Sequence, residues 1–164
     1  KMRDISYKED NIKFNFRVAV ILQNNNRILV QHNEGDVNYR LIGGRVQLLE
    51  NTVQAIIREI REELAYNVKE EDLKLIQIAE NFFDYDDEHG ELQKVHEILY
   101  IYKLSVNSSD EIARKDNFTD LEKDKVVFIW IDKEKIKKMN LVPKLAKSII
   151  DTEDTKYSII NELR

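Results

Sequence analysis

Two of the chain's four glycines stand side by side, at Gly43 and Gly44, and they separate two segments of different periodicity. Residues 39–42, before the pair, have the character of a short β-strand. From Thr52 to Leu64 the apolar residues instead recur with the period of a helix. Because glycine and proline are scarce in this chain, an adjacent pair indicates a specific backbone requirement. The pair therefore predicts a strand–loop–helix unit.

The predicted helix is amphipathic and has a recognisable start. Five of its apolar residues lie within roughly 100° of one another on a helical wheel: Val53, Ile56, Ile57, Ile60 and Leu64. Asn51 is expected to cap the N-terminus, and Gln54 stands three residues later, which is a capping-box arrangement. One face of the helix is therefore apolar, and the other carries its charged residues.

The charged face holds three carboxylates that are close enough to act together. Glu59, Glu62 and Glu63 stand at i, i+3 and i+4, so they share one side of the helix. A bound cation would relieve their mutual repulsion, and hard divalent ions such as Mg²⁺ and Mn²⁺ prefer oxygen ligands. The alternative is a solvated face on which Arg58 and Glu62 form an ordinary i, i+4 pair.

The segments around this unit predict a mixed α and β fold. Residues 17–22 and 27–31 are apolar runs joined by an asparagine-rich turn, which predicts a β-hairpin. Further strands are expected at residues 73–83, 95–104 and 126–131. The acidic stretch between the first two of these is expected to be a hairpin loop.

The last third of the chain is predicted to be helical. Helices are expected over residues 133–139 and 143–151, with Pro143 in a first turn and the helix continuing towards Leu163. No internal repeat and no linker rich in Gly, Pro or Ser is visible. Residues 1–164 are therefore expected to form a single domain.

Composition and charge exclude several classes of protein. The chain has 26 basic and 31 acidic residues, a net charge of −5, which does not suit binding to nucleic-acid phosphates. It has no cysteine, so disulfides, thiolate zinc sites and a cysteine nucleophile are excluded. No run approaches the roughly twenty apolar residues of a membrane span. We expect a cytoplasmic protein that binds neither membranes nor specific nucleic-acid sequences.

The order of residues from Gly44 to Tyr66 resembles the signature of the Nudix hydrolases. That signature is Gly, five residues, Glu, seven residues, then Arg-Glu-apolar-any-Glu-Glu-any-Gly-apolar. The chain matches it at Gly44, Glu50, Arg58, Glu59, Ile60, Glu62 and Glu63. It departs at Ala65, where the family usually has Gly, and at Tyr66, where it has an aliphatic residue. Leu49 also stands where the family often has Gly, and Ile42 where it often has Pro.

The resemblance implies both a fold and a chemistry. The implied fold is an α/β/α sandwich with a mixed, curved β-sheet between helices. The implied reaction is hydrolysis, by a metal-activated water, of a diphosphate bond in a nucleoside diphosphate linked to another group X. The cofactor would be Mg²⁺ or Mn²⁺, and the partner a small nucleotide substrate. A homodimer is also compatible with the family.

Site residues follow from the resemblance, position by position. The expected metal ligands are the carboxylates of Glu59, Glu62 and Glu63 and the backbone carbonyl of Gly43. These glutamates form the expected catalytic set together with Arg58, which would orient them by pairing with a carboxylate. Gly43, Gly44 and Glu50 are expected to form the substrate-binding loop, with Glu50 supporting the loop–helix geometry.

Two questions stay open at this point. The family draws its general base from different places, and the candidates here are Glu62, Glu63, Glu97, Glu122 and Asp124. Strand alternation puts His96 and Glu97 on opposite faces, so they cannot both point at one site. The departures at Ala65 and Leu49 also leave a second function open, namely a Nudix-fold module that binds a nucleotide or regulates a partner without catalysis.

Overall fold

The computed structural model describes residues 2–119 and 125–164. Its strands are β1 (Ser6–Glu9), β2 (Ile12–Asn24), β3 (Arg27–Asn33), β4 (Tyr39–Arg40), β5 (Ile42–Arg45), β6 (Leu73–Asp86), β7 (Leu92–Ser105), β8 (Asn117–Thr119), β9 (Val126–Asp132), β10 (Leu141–Val142) and β11 (Lys156–Asn161). Its α-helices are α1 (Thr52–Leu64), α2 (Glu111–Arg114), α3 (Lys133–Ile136) and α4 (Ala146–Ile149), and a 3-10 turn (Glu70–Asp72) precedes β6. Among the described residues, no helix is long and apolar enough to cross a membrane.

Strand β2 organises the sheet, because it has partners along both edges. Along one edge it runs parallel to β7 for nearly its whole length. Along the other edge it pairs in turn with β1, β5 and β3, all antiparallel. The sheet continues from β7 through β6 to β11, and from β3 to β4 and β9. The glycine pair therefore lies in β5, directly beside the central strand.

Alternating side chains of β2 pack into two separate cores. Val20 and its neighbours on one face pack with Ile60 and the other apolar residues of α1. Ile21 belongs to the opposite face, where it packs with Ile136 of α3 and Ile149 of α4. A mixed sheet thus lies between helices, which confirms the expected α/β/α sandwich.

The predictions for the helix and the hairpin are confirmed. Helix α1 has the predicted bounds and both hydrogen bonds of its capping box, since the Gln54 N–H donates to Asn51 Oδ1 at 2.8 Å and the Asn51 N–H donates to Gln54 Oε1 at 2.9 Å. The β2–β3 hairpin turns at Asn25, whose φ of 52° is a left-handed geometry that asparagine tolerates. Strands β6, β7 and β9 are present and longer than predicted, so the loop between β6 and β7 is shorter. The strand predicted before the glycines is divided at Leu41 into β4 and β5.

The C-terminal third differs from the helical prediction. Helices α3 and α4 are short, and Pro143 lies before α4 rather than in its first turn. The expected continuation of the helix towards Leu163 is wrong, because this segment forms β11 and pairs in parallel with β6. Tyr157, Ile159 and Ile160 are residue types that favour strands, and the edge of β6 offers a row of backbone hydrogen-bonding groups with which the segment pairs.

Part of the sheet face that carries α1 extends beyond the helix and is uncovered. We call this area the sheet patch, and it consists of Tyr7, Ile12, Phe14, Ile78, Phe82, His96, Ile98, Tyr157 and Ile159. The ring of His96 stacks on Phe82 with centroids 4.4 Å apart and meets Phe14 edge-on at 5.2 Å. None of the patch residues belongs to either core of the described structure. The patch is therefore an apolar surface that no other described segment covers.

Candidate active site

The glycine pair lies where the sheet meets helix α1. In the pairing of β5 with β2, Gly43 stands opposite Ala19 and Gly44 opposite Val18. A Cβ atom on Gly43 would collide with the backbone carbonyl of Val18, and one on Gly44 would collide with the carboxylate of Glu59. Gly43 therefore requires glycine, whereas a side chain at Gly44 would displace the Glu59 carboxylate. The second glycine also brings the backbone of β5 directly against a carboxylate of α1.

Arg58 holds the acidic side chains of this region in place. Its Nε and Nη2 donate to the two oxygens of Glu50 at 2.7 and 2.9 Å. Its Nη1 donates to Glu59 at 2.8 Å and to Glu62 at 3.2 Å, and Nη2 also donates to the Arg45 carbonyl at 2.9 Å. The hydrogen bonds to Glu50, and then those to Glu59, raise the pKa of Arg58 although burial opposes the rise. Arg58 is thus a fixed positive charge that bridges three carboxylates.

Glu50 supports the loop that leads into the helix. In addition to its two bonds from Arg58, its Oε1 accepts a hydrogen bond from the backbone N–H of Gln47 at 2.9 Å. Burial alone would raise the pKa of Glu50, but the hydrogen bonds from Arg58 and Gln47 outweigh burial and lower it. The Glu50 carboxylate is therefore ionised and fully engaged within the loop.

The three helix carboxylates differ in their surroundings. Glu63 is buried, whereas the side chain of Glu59 is 14% exposed and that of Glu62 is 30% exposed. Burial raises the pKa of Glu59, and the hydrogen bond from Arg58 opposes this rise. Glu62 is thus the member of the cluster most accessible to water.

The chemistry of this donor set fits a hard divalent cation. The cluster offers carboxylate oxygens, and the absence of a side chain at Gly44 lets β5 approach Glu59 closely. Glu59 and Glu62 both turn towards Arg58. In residues 2–119 and 125–164, no group of three or more His, Cys, Asp or Glu residues is arranged to hold a metal ion. The residues therefore fit Mg²⁺ or Mn²⁺ by type, while Arg58 holds them in their present arrangement.

Two of the departures from the Nudix signature lie at left-handed backbone positions. Ala65 ends α1 with φ 53° and ψ 34°, and its N–H donates to the Arg61 carbonyl at 3.0 Å. Leu49, just before Glu50, has φ 65° and a side chain that is almost fully exposed. The backbone thus adopts at both positions the geometry that glycine favours, and the side chains add strain.

A cavity of about 650 Å³ lies on the sheet face opposite α1. Gly43 and Arg45 line it, so β5 connects it with the carboxylate cluster, whereas Gly44 and Glu50 do not line it. Its charged lining residues are five cations, which are Lys13, Arg17, Arg40, Arg45 and Lys144, and three carboxylates, which are Asp84, Glu97 and Glu162. Aromatic and apolar groups complete the wall, including Phe83, Tyr85 and Pro143. The cavity thus combines positive charge with planar apolar surface in an acidic protein.

Lys13 shows that this positive charge is concentrated. Burial is the first cause that lowers the pKa of Lys13, and the repulsion of Arg45, Lys8 and Arg17 lowers it further. A bound anion would relieve that repulsion. The charge distribution of the cavity therefore suits a phosphate-bearing ligand.

The general-base candidates lie in different places. Glu62 and Glu63 belong to the helix cluster, whereas Glu97 lines the cavity and bonds to Arg17 and Asn81. His96 points to the other face of the sheet, as strand alternation predicts. Glu122 and Asp124 lie outside the described residues.

The cavity was not predicted from the sequence, although a signal for it exists. Polar residues alternate along the start of β2, at Lys13, Asn15 and Arg17, and all three line the cavity. This alternation extends the strand towards the N-terminus and gives it one polar face. The hairpin prediction began only at Arg17, and so it missed the pattern.

Comparison with known proteins agrees with the fold. The mutator MutT protein from Bacillus halodurans is 17% identical, with a TM-score of 0.63 and 90% of each chain covered. A NUDIX hydrolase from Nitrosomonas europaea is 17% identical, with a TM-score of 0.55 and coverage of 90% of this chain and 79% of that one. The E. coli dihydroneopterin triphosphate pyrophosphohydrolase is 17% identical, with a TM-score of 0.53 and coverage of 83% and 92%. No curated protein sequence matches the chain.

The sequence also matches a family directly. The NUDIX domain matches residues 13–151, which include β2, the glycine pair, α1 and the cavity walls up to α4. Together with the fold, this match supports an enzyme of the pyrophosphohydrolase class. With the match covering most of its length, the chain belongs to the Nudix family.

Proposed function

We propose that this protein hydrolyses a diphosphate bond in a nucleoside diphosphate linked to another group X, and that it depends on Mg²⁺ or Mn²⁺. The products are a nucleotide and phosphorylated X. The observation that carries the proposal is the continuity between two sites. Gly43 and Arg45 line the cationic cavity. Gly44, between them, lies against the carboxylate of Glu59, and the Arg45 carbonyl accepts a hydrogen bond from Arg58. Nucleotide substrates occur in the cytoplasm, which is the compartment we propose.

The chain's own residues have distinct roles in this proposal. Glu59, Glu62, Glu63 and the Gly43 carbonyl would hold the metal ion, and Arg58 keeps Glu59 and Glu62 within reach of it. When bound, the ion offsets phosphate charge and lowers the pKa of the attacking water. Lys13, Arg17 and Arg45 bind the phosphates and neutralise their charge.

The proton of the attacking water needs a carboxylate acceptor. We assign this role to the helix cluster, in which Glu62 is the most exposed member and Glu63 is the alternative. Glu97 is less suited, because it lies on the sheet face opposite α1 and is engaged by Arg17 and Asn81. The base therefore comes from α1 rather than from the cavity floor.

A substrate panel tests the proposed reaction. Nucleoside diphosphate derivatives are incubated with Mg²⁺, with Mn²⁺ and with a chelator, and the phosphorylated products are identified. We expect turnover only with metal, and a loss of at least about 100-fold in kcat for Glu62→Gln. Glu88→Gln is the matched control, because Glu88 is an exposed carboxylate in the loop after β6. Turnover that Glu62→Gln leaves unchanged would show that the assignment is wrong.

The second candidate is a nucleotide-binding module without catalysis. It is favoured by Ala65 and Leu49, which place strain at both ends of the segment that carries the cluster. Nucleotide binding that persists in chelator, without turnover on any member of the panel, would establish this function instead.

We also propose that the protein forms a homodimer through the sheet patch. Tyr7, Ile12, Tyr157 and Ile159 are each at least half exposed. With roughly 200 Å² for a large side chain, the patch exposes on the order of 600 Å², about what one partner contributes to a small stable interface. The charged groups on the same face are Glu9, Glu80, Asp84, Asp86, Lys94 and Arg164, which sum to −2. Arg164 pairs with Asp84 and Asp86, which limits the like-charge repulsion that a second copy of the patch meets, whereas a nucleic acid would find few cations.

Sedimentation analysis tests the dimer. We expect the wild-type protein to be a dimer and Ile159→Lys to be a monomer, because the lysine places a charge in the apolar contact. Val37→Lys is the control, since Val37 is at least as exposed as Ile159 but lies outside the patch. A monomeric wild-type protein would overturn the proposal that the patch forms a dimer interface.

A further inference from the structure

The floor of the cavity carries a row of buried polar side chains. Asn15 on β2, Glu97 on β7 and Asn81 on β6 are direct neighbours in the strand register, and all three line the cavity. Their exposed fractions are only 7%, 9% and 8%. We call these three residues the polar row. Buried polar groups carry an energetic cost unless they are hydrogen-bonded, so their presence under a ligand cavity calls for a partner.

The contacts of the polar row leave hydrogen-bonding capacity on the cavity side. Asn81 Nδ2 donates to Glu97 Oε2 at 3.2 Å, and Arg17 Nε lies 3.4 Å from Glu97 Oε1. Asn15 Oδ1 accepts a hydrogen bond from the Ser6 hydroxyl at 2.9 Å. Each carboxylate oxygen can accept a second hydrogen bond. Within the described residues, neither the side-chain Nδ2 of Asn15 nor the side-chain Oδ1 of Asn81 has a hydrogen-bond partner.

The charge of Glu97 is the unexpected part of this floor. The surrounding walls hold five cations, Lys13, Arg17, Arg40, Arg45 and Lys144, which outnumber the wall carboxylates Asp84 and Glu162 and suit an anion. A carboxylate beneath them repels phosphate and therefore serves a part of the ligand that donates hydrogen bonds. Phe83 and Tyr85 stand on the same side of the sheet and offer planar apolar surface beside it. A flat ring with N–H donors along one edge satisfies both features.

Resting on the proposed function, we propose that the polar row reads the 2-amino-4-oxopyrimidine edge that guanine and pterins share. The ring N–H and the exocyclic amino group of that edge are adjacent donors, and they match the two oxygens of Glu97. The neighbouring oxo group accepts a hydrogen bond from the Asn15 amide. Adenine and uracil do not present this adjacent pair of donors, so they leave the Glu97 carboxylate partly unsatisfied. The polar row therefore determines the specificity of the cavity for the base.

Binding of uncleaved ligands tests this proposal independently of turnover. The affinities of GMP, AMP, UMP and neopterin are measured by calorimetry on the full chain with Mg²⁺. We expect GMP to bind at least tenfold more tightly than AMP and UMP. Neopterin that displaces GMP would assign the site to the shared ring edge, whereas neopterin that fails to do so would assign it to guanine nucleotides. Equal affinities for the three nucleotides, or no binding by any of them, would overturn the proposal.

Two variants separate recognition of the base from other effects. In Glu97→Gln, one acceptor becomes a donor, so we expect the preference for GMP over AMP to fall by about tenfold. Glu162→Gln is the matched control, because Glu162 also lines the cavity but is about half exposed and lies outside the polar row. An unchanged preference in a folded Glu97→Gln protein would overturn the proposal. Asn15→Asp provides a second test, since it removes the amide donor, and it should also weaken GMP binding.

The failure of this proposal is distinguishable from a failure of the proposed reaction. A protein that prefers GMP but cleaves no member of the substrate panel retains the base-reading row and lacks the activity. A protein that cleaves its substrates at rates independent of the base has the activity and lacks the base-reading row. The measured affinities and the product analysis therefore decide the two questions separately.

Discussion

At the scale of single residues, Ala65 and Leu49 show that the backbone can keep a left-handed conformation without the glycine that usually adopts it. Both adopt left-handed φ values, 53° and 65°. This conformation destabilises a residue that has a Cβ atom by roughly 1–2 kcal/mol, and it does not destabilise glycine. The surrounding contacts impose the conformation, because the Ala65 N–H still closes the helix on Arg61 and Glu50 still binds Arg58. The strain therefore lies at both ends of the segment that carries the carboxylate cluster, without changing its path.

Replacing Ala65 with glycine should stabilise the protein. We expect Ala65→Gly to raise the free energy of unfolding by about 1 kcal/mol, which corresponds to a rise in melting temperature of roughly 2–4 °C. Denaturant and thermal unfolding measure both quantities. The control is Asn25→Gly, because Asn25 has a similar φ of 52° but asparagine already tolerates it. Equal gains in both variants would show that relief of strain at Ala65 is not the cause.

Arg58 is a second residue whose geometry makes a sharp prediction. Its planar guanidinium bonds to both oxygens of Glu50 and reaches two further carboxylates, which a lysine ammonium cannot do. We expect Arg58→Lys to lower the free energy of unfolding by about 3 kcal/mol, because acidic groups with little exposure lose their partner. Chemical denaturation measures the loss. Arg61→Lys, on the same helix but exposed, should change stability by less than about 0.5 kcal/mol, and a similar loss there would contradict the assignment.

At the scale of elements, helix α1 is specified locally at its start. The capping box satisfies backbone N–H groups that would otherwise have no partner in the first turn. Asn51→Ala should therefore destabilise the protein by about 1 kcal/mol. Unfolding in denaturant measures this loss, with Asn67→Ala as the control, because Asn67 is exposed and lies outside any helix. A loss no greater than that of the control would show that the cap contributes nothing.

The strand β11 shows the opposite case, in which an element depends on its partner. The edge of β6 holds it by backbone pairing, and Thr155 Oγ1 donates to the Leu75 carbonyl at 2.6 Å just before it begins. Ile160 of β11 then forms part of the cavity wall. A segment that was predicted to be helical is thus a strand that forms part of the cavity wall.

At the scale of the whole molecule, the proposed metal site predicts that stability depends on Mg²⁺. A metal ion that binds only the folded protein raises its stability by about 2.7 kcal/mol when present at 100 times its dissociation constant. We therefore expect Mg²⁺ to raise the melting temperature of the wild-type protein in a saturable way. Glu59→Gln should remove most of this shift and leave the metal-free protein at least as stable, because it relieves repulsion among the carboxylates. Thermal unfolding across a Mg²⁺ titration measures both effects.

The control for this titration is again an exposed carboxylate. Glu88→Gln alters the net charge of the protein to the same extent but lies in the loop after β6. It should keep the full Mg²⁺ shift. A shift that Glu59→Gln retains in full would mean that Mg²⁺ acts on the protein at another place.

By itself, the sequence determined the parts of this protein that depend on neighbouring residues. The hairpin, the capped helix α1 and the spacing of the acidic cluster all follow from local periodicity and turn chemistry. The signature around Gly44 also identified the family, because the glycine, the capped helix and the carboxylates lie within one short segment. In these elements, residues only a few positions apart determine the conformation, so a short stretch of sequence is enough to predict it.

Tertiary structure decided what depends on residues far apart in the chain. The segment that forms β11 pairs with the edge of β6, which lies far from it in the sequence. The cationic cavity gathers side chains from β2, β5, β6 and β7, and the polar row exists only because Asn15, Glu97 and Asn81 come into register. Strand pairing sets that register through backbone hydrogen bonds, which no local pattern encodes. The carboxylate cluster can thus be predicted from the spacing of residues in the sequence. The shape and charge of the cavity can be known only from the folded sheet, because they depend on how the strands pair.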